Sequence, residues 1–158
     1  MKNTYGTGCF ILMNVGEKPV YSEHGLLSTM CYRLNGKSQY ALEGAVEVAG
    51  AAIEWCKSVG IITDVKKIES EARSVDNCGD VYFVPAFGGL LSPYYDDSAR
   101  CLLIGMSTNT SRGHLMRAFC ESPCLRSAQV LKAMSEDCKA EVTRVAVDGG
   151  MTVNDLIM

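Results

Sequence analysis

Nothing in this chain is apolar for long enough to cross a bilayer. Its longest such stretches, Cys9 to Val15 and Cys101 to Met106, fall far short of the roughly 20 residues that a helical span needs. The N-terminus also lacks the charged and apolar regions of a signal peptide in their order. Positive charge is not in excess: 15 Lys and Arg stand against 18 Asp and Glu, for a formal net charge of −3, so nucleic acid is not an expected partner. The one basic pair, Lys66 and Lys67, reads as a solvated helix surface. The eight cysteines form no CxxC pair and have no His close enough to complete a ligand set, which argues against structural zinc. Internal repeats, low-complexity segments and linkers are missing as well. What remains is one soluble, cytoplasmic domain with reduced thiols and no transmembrane segment, and 158 residues are enough to bury a real core without staples.

The pattern along the chain is of strands first, then strands alternating with helices. Gly8 to Val15 is a β-rich run entered from a Gly-Thr-Gly turn and closed by Glu17-Lys18-Pro19. Segments at Ser28 to Leu34 and Gln39 to Leu42 flank Asn35-Gly36, a strong hairpin signal. From Leu42 the apolar spacing changes to three and four through Ala45, Val46, Ala49, Ala52, Ile53 and Cys56, which predicts an amphipathic helix starting at Leu42. A charged helix is expected over 65–75, a buried strand over 81–84, a Gly- and Pro-rich loop over 85–97 and a strand over 101–106. A long helix should run from about Ser111 to Met134, kinked or broken at Pro123, which removes a backbone donor and crowds the preceding turn. A last strand, 142–147, leads into Asp148-Gly149-Gly150 and a helix cut off at Met158. This order indicates a layered α/β domain.

Three features are candidates for chemistry. In Tyr5-Gly6-Thr7-Gly8 the glycines let the backbone turn tightly and approach an anion, and the Thr hydroxyl and free amides can donate to phosphate; the alternative is an ordinary hairpin turn. Asp148-Gly149-Gly150 lies between a strand and a helix, where glycines permit ligand approach to unpaired amides, or where Asp148 simply caps the helix. Gly50 costs a helix interior about 1 kcal/mol against Ala and therefore needs a reason. On the expected helix it shares a face with Glu43, Glu47, Glu54 and Lys57, away from the apolar stripe, so it serves either a neighbouring element or a flat ligand. Asp96 and Asp97 read as a solvated pair, and His24 and His114 as structural.

Taken in order, NTYGTGCF, HGLL, YALEG, a helix with AGAA, FVPAF-G-L-SPY, AR, the strand-to-helix segment around Gly105 and VDGGM-x-x-N form a specific pattern. It resembles the C-terminal, nucleotide-binding half of the glycerol kinases, of the FGGY carbohydrate kinase family, over essentially the whole chain. Asn3 through Phe10 and Tyr40 through Gly44 are closer to glycerol kinases than to the family's sugar kinases. The resemblance implies an actin-like, ribonuclease H-like ATPase domain, incomplete at both ends, whose N-terminal substrate domain is absent and is its expected partner. The implied reaction is ATP-dependent phosphoryl transfer to glycerol, giving glycerol 3-phosphate and ADP, with a homo-oligomer allowed.

Carried over by position, Gly6, Thr7 and Gly8 form the phosphate hairpin, with Thr7 near the terminal phosphates. Gly50 lies beside the nucleotide, Gly150 under the adenosine, and Asn154 against the purine; Gly149 is a further nucleotide-binding residue, and Glu54 stands at another nucleotide-contact position. Phe10 corresponds to an aromatic residue packed on the carbon backbone of glycerol. No catalytic residue and no metal ligand is expected in the chain. The resemblance puts the catalytic Asp on the strand just before the hairpin, upstream of Met1, with Mg2+ ligands and most glycerol contacts also outside. Departures occur at Cys101, Phe119 and Cys120, at Pro123, at Tyr95 where Trp is common, and at Ala128 where a basic residue is common. These keep two alternatives open: a non-catalytic actin-fold paralogue that binds nucleotide or partners, and another FGGY sugar kinase.

Overall fold

The computed structural model describes residues 1–158. Its main sheet has five strands, β1 (Lys2–Tyr5), β2 (Cys9–Gly16), β3 (Leu27–Leu34), β4 (Lys37–Val46) and β7 (Ala146–Asp148), in the order β3-β4-β2-β1-β7. The pairs are antiparallel except β1 with β7, which run parallel. Two short strands, β5 (Tyr82–Val84) and β6 (Leu102–Ile104), pair separately. The helices are α1 (Gly50–Ser58), α2 (Ile68–Ala72) and α3 (Arg112–Cys138), with single 3-10 turns at Val65–Lys67 and Gly150–Val153.

Alternation along β2 buries Cys9 and Ile11 and leaves Phe10 on the opposite face, as a period of two requires. Asn35 and Gly36, both at positive φ, make the tight turn between β3 and β4 that their dipeptide signals. The 27 residues of α3 span about 40 Å and tie the molecule together. Met116, Phe119 and Cys120 in its first half pack with Ile53, Cys56, Ile62, Ile68, Val81 and Phe83. Val130, Ala133 and Met134 in its second half pack with Tyr5, Cys9, Ile11, Leu42 and Val46 of the sheet.

Several expectations are corrected. The helix does not begin at Leu42: β4 continues to Val46, and α1 starts at Gly50. Leu42 and Val46 face the core from a strand, where their spacing of four also satisfies a period of two. Gly50 is therefore the first residue of the helix, and neither the interior-glycine penalty nor the shared face with Glu43 and Glu47 applies. The 65–75 helix is a 3-10 turn followed by the short α2. Pro123 does not break α3, which is continuous through it, and the proline is buried. The last segment is one 3-10 turn rather than a helix. Asp148 is no cap, because its carboxylate is engaged by Lys2 at 2.9 Å.

Two further corrections concern the hairpin. The strand preceding it lies within the chain, since β1 pairs with β2 from Lys2–Leu12 to Tyr5–Cys9. That strand carries no carboxylate, so a catalytic Asp does not sit on it. Asn3 of β1 is only 1% exposed, and its Nδ2 donates to Ser127 Oγ of α3 at 3.1 Å, which anchors the hairpin strand to the long helix.

Candidate nucleotide site

A cleft of about 600 Å³ opens where five separated parts of the chain converge. The β1–β2 hairpin contributes Gly6 and Thr7, α1 contributes Gly50, Ala51, Ile53 and Glu54, and the C-terminal segment contributes Gly150, Met151, Val153, Asn154 and Ile157. Val65, Ile68 and Cys120 complete it. A mostly apolar cavity of this size, with a few convergent polar groups, is what a small-molecule site looks like.

The hairpin and α1 hold each other by main-chain bonds. Thr7 O accepts from the amides of Ala49 at 2.8 Å and Ala51 at 3.0 Å, and Gly6 O accepts from Gly50 N–H at 2.9 Å. The first amides of α1 are thus satisfied by hairpin carbonyls, so the helix start is not itself an anion site. On the hairpin itself the Thr7 and Gly8 N–H groups have no backbone acceptor, and of the two residues only Thr7 is exposed. An unpaired amide beside a Thr hydroxyl at a tight turn forms a small donor cradle suited to an anion.

Close approach explains most of the glycines. A Cβ on Gly50 would meet Gly6 O at 2.6 Å, and one on Gly8 would meet Val46 O at 2.5 Å. Gly149, at φ +104, has Tyr5 backbone atoms where a Cβ would stand. These three are needed by backbone packing. Gly150 differs, since a Cβ there meets nothing within 4 Å although the residue lines the cleft. No packing contact within the chain requires a glycine there.

Of the eight nucleotide-site candidates, the fold brings Gly6, Thr7, Gly50, Glu54, Gly150 and Asn154 to the cleft; Gly8 and Gly149 support it from outside. Phe10 is not brought there, being 46% exposed on the sheet between Thr4 and Ala45. Sequence reasoning missed the aliphatic lining, namely Ile53, Val65, Ile68, Val153 and Ile157, because apolar side chains read as core wherever they stand. The Cys120 thiol is buried, which pushes its pKa up to about 11 and keeps it neutral. Glu54 is the one charged residue of the lining, and its side chain is 69% exposed. No group of three or more His, Cys, Asp or Glu side chains is placed to hold a metal ion, and Glu54 is the one carboxylate of the cleft.

The remaining candidates have structural work. Asp96 Oδ1 accepts from Ser98 Oγ at 2.6 Å and from the amides of Ser98 and Ala99 within its own loop. His114 Nδ1 accepts from Ser111 N–H at 2.9 Å and completes the capping box of α3. His24 holds Asp137 near the end of α3 at 2.6 Å.

Compared with known protein families, residues 1–158 match the FGGY family of carbohydrate kinases, C-terminal domain. The chain belongs to the FGGY carbohydrate kinase family. Among FGGY kinases it is 50% identical to the glycerol kinase of Staphylococcus haemolyticus, with all of this chain and 32% of that protein covered. It is 49% identical to that of Brucella anthropi, again covering 32% of the relative's length. The chain thus spans about a third of the curated relatives it matches. A solved structure of Plasmodium falciparum glycerol kinase with ADP superposes with a TM-score of 0.91 at 39% identity, covering 99% of this chain and 32% of that one. No helix of the chain is long and apolar enough to cross a membrane.

Proposed function

We propose that this chain is the nucleotide-binding third of a glycerol kinase, in which ATP bound in the cleft gives its γ-phosphoryl group to a terminal hydroxyl of glycerol. The observation that carries the reading is the convergence of the hairpin, the start of α1 and the Gly150–Asn154 segment on one cleft, in a chain 39% identical to a glycerol kinase solved with ADP. In this reading the Thr7 hydroxyl and the free amide of Thr7 donate to phosphate oxygens, with Gly8 supporting the turn from behind. Gly150 lets the nucleoside lie against the backbone, the aliphatic lining takes the base, and Phe10 packs on glycerol from the exposed sheet face. Phosphoryl transfer depends on positioning and on spreading charge, and the chain supplies positioning from one side only. The base, the facing domain and the ligands of magnesium belong to the rest of the protein. Eight free cysteines suit a reducing cytoplasm.

Two of the departures that favoured a non-catalytic paralogue fit the fold: Phe119 packs edge-on against Phe83 at 4.7 Å, and Pro123 leaves α3 continuous. A graft tests the function directly. This chain, substituted for the corresponding third of the Brucella anthropi enzyme, should form glycerol 3-phosphate from ATP and glycerol, and Thr7→Ala in the graft should slow it. A folded graft that binds ATP and makes no glycerol 3-phosphate supports the non-catalytic paralogue instead.

A further inference from the structure

We propose that Ser127 is a positioning residue for the phosphate end of the cleft: its buried hydroxyl holds both strands of the β1–β2 hairpin to α3 and so sets where Thr7 stands. The proposal rests on the nucleotide reading above. Gly6-Thr7-Gly8 is flanked by Asn3 and Tyr5 on β1 and by Cys9 on β2, all three turned inward and buried. They meet at one side chain of α3. Asn3 Nδ2 donates to Ser127 Oγ at 3.1 Å, and Ser127 is 2% exposed. Burial raises the Tyr5 hydroxyl above its ordinary 10.0 and pushes the Cys9 thiol up to about 11, and in both a side-chain hydrogen bond with Ser127 works the other way. One hydroxyl thus reaches residues on either side of the turn.

Packing alone would not choose this arrangement. An apolar residue at position 3 would bury at no polar cost, whereas Asn3 keeps its Oδ1 buried without a partner. Alanine at position 127 would favour the helix more than serine does. What the polar pair adds is direction: a hydrogen bond fixes where β1 lies along α3, which apolar contacts, being non-directional, do not. The main-chain bonds from Gly6 O and Thr7 O fix the turn relative to α1. Ser127 fixes its strands relative to α3, whose Cys120, about two turns earlier, lines the same cleft. One long helix is therefore the common reference for the hairpin and for the cavity beyond it.

The test compares ATP with AMP, both with magnesium, because the ratio of their dissociation constants measures what the terminal phosphates gain at the hairpin. In NMR titrations of the 158-residue chain, Ser127→Ala and Asn3→Ala should each weaken ATP roughly five- to tenfold and AMP less than about twofold. Ser127→Thr, which keeps the hydroxyl, should retain the wild-type ratio. Val130→Ala, a deletion in the buried face of the same helix, controls for lost stability alone: it should lower the melt and leave the ratio unchanged. A folded Ser127→Ala or Asn3→Ala protein with the wild-type ratio overturns the proposal, as does an equal change of ratio in Val130→Ala. Either alanine variant suffices where the other does not fold, and failure of both to fold would show that the pair serves the fold instead, which also overturns it. Wild-type binding that is equal for ATP and AMP defeats this proposal and leaves a nucleoside site standing. Absence of binding by either nucleotide at millimolar concentration defeats the proposed site as well.

Discussion

Gly50 and Gly150 both line the cleft, yet they answer to different neighbours. A side chain at Gly50 runs into the hairpin carbonyl at 2.6 Å, so Gly50→Ala should lower stability by about 1–3 kcal/mol and disturb the hairpin along with it. A side chain at Gly150 meets only open space. Gly150→Ala should therefore change thermal stability by no more than about 0.5 kcal/mol, while weakening ATP binding by roughly tenfold, or about 1.4 kcal/mol. Paired thermal melts and ATP titrations of the two variants check this; a stability loss in Gly150→Ala matching that in Gly50→Ala would mean that both glycines serve packing alone. Thr7 is exposed and its hydroxyl makes no hydrogen bond within the chain, so Thr7→Ala should leave the melt unchanged and reduce ATP affinity about fivefold, the worth of one hydrogen bond near 1 kcal/mol.

Among the elements, the turn chemistry of the hairpins was legible from the sequence and the boundary between β4 and α1 was not. Asn35-Gly36 has one low-energy use between two β-rich runs. Leu42 and Val46, four apart, fit a strand as well as a helix, and only the pairing with β2 from Val46–Cys9 to Ala41–Asn14 decides between them. Of the kink or break expected at Pro123, the break does not occur, since α3 runs on through it; the cost of a proline in a helix is real, but the rest of a 27-residue helix carries it. The cleft was legible through its glycines and Thr7, whereas its aliphatic lining has no local signature, because its use depends on which surfaces converge.

The turn at 22–26 shows an element held by one side chain that no motif marked. Asp137, 2% exposed, accepts from Ser22 Oγ at 2.5 Å, Glu23 N–H at 3.0 Å and His24 Nδ1 at 2.6 Å, while Glu136 stands 3.7 Å from His24 Nε2. Burial pushes the Asp137 carboxyl up, but the bonds from Ser22, His24 and Glu23 outweigh it and hold it below its ordinary 3.8. The bond to Asp137 raises His24 above its ordinary 6.5. The signs follow from linkage. The Asp137 contribution is present above its unfolded value and is lost as pH falls through the depressed folded one. The His24 contribution is complete below about 6.5 and is lost as pH rises through the raised folded value. Stability from this latch should thus be greatest between about pH 4 and 6.5. Denaturant melts of His24→Gln should lack the decline expected above pH 6.5 in the wild type; an unchanged decline would remove His24 from the latch. Asp137→Ala, which strands several donors, should cost about 1–3 kcal/mol throughout the neutral range.

At the scale of the whole molecule, the cleft has apolar lining for a base and donors for a phosphate, but no Lys or Arg among its residues. Nucleotide charge must be offset from the facing part of the protein and by the cation that ATP brings, so affinity in this chain alone should be low. For the same reason the chain alone should not phosphorylate glycerol above background: a one-sided cleft without a base lacks both closure and proton acceptor. A coupled assay on folded protein checks this, and glycerol-dependent turnover abolished by Thr7→Ala would show that the chain carries a complete active site. The central claim is that three separated loops make one nucleotide site, and it is tested most directly by following backbone amides by NMR during titration with magnesium-ATP. The account predicts saturable shifts centred on Thr7, Gly50, Gly150 and Asn154, and shifts only at residues remote from these four would contradict it.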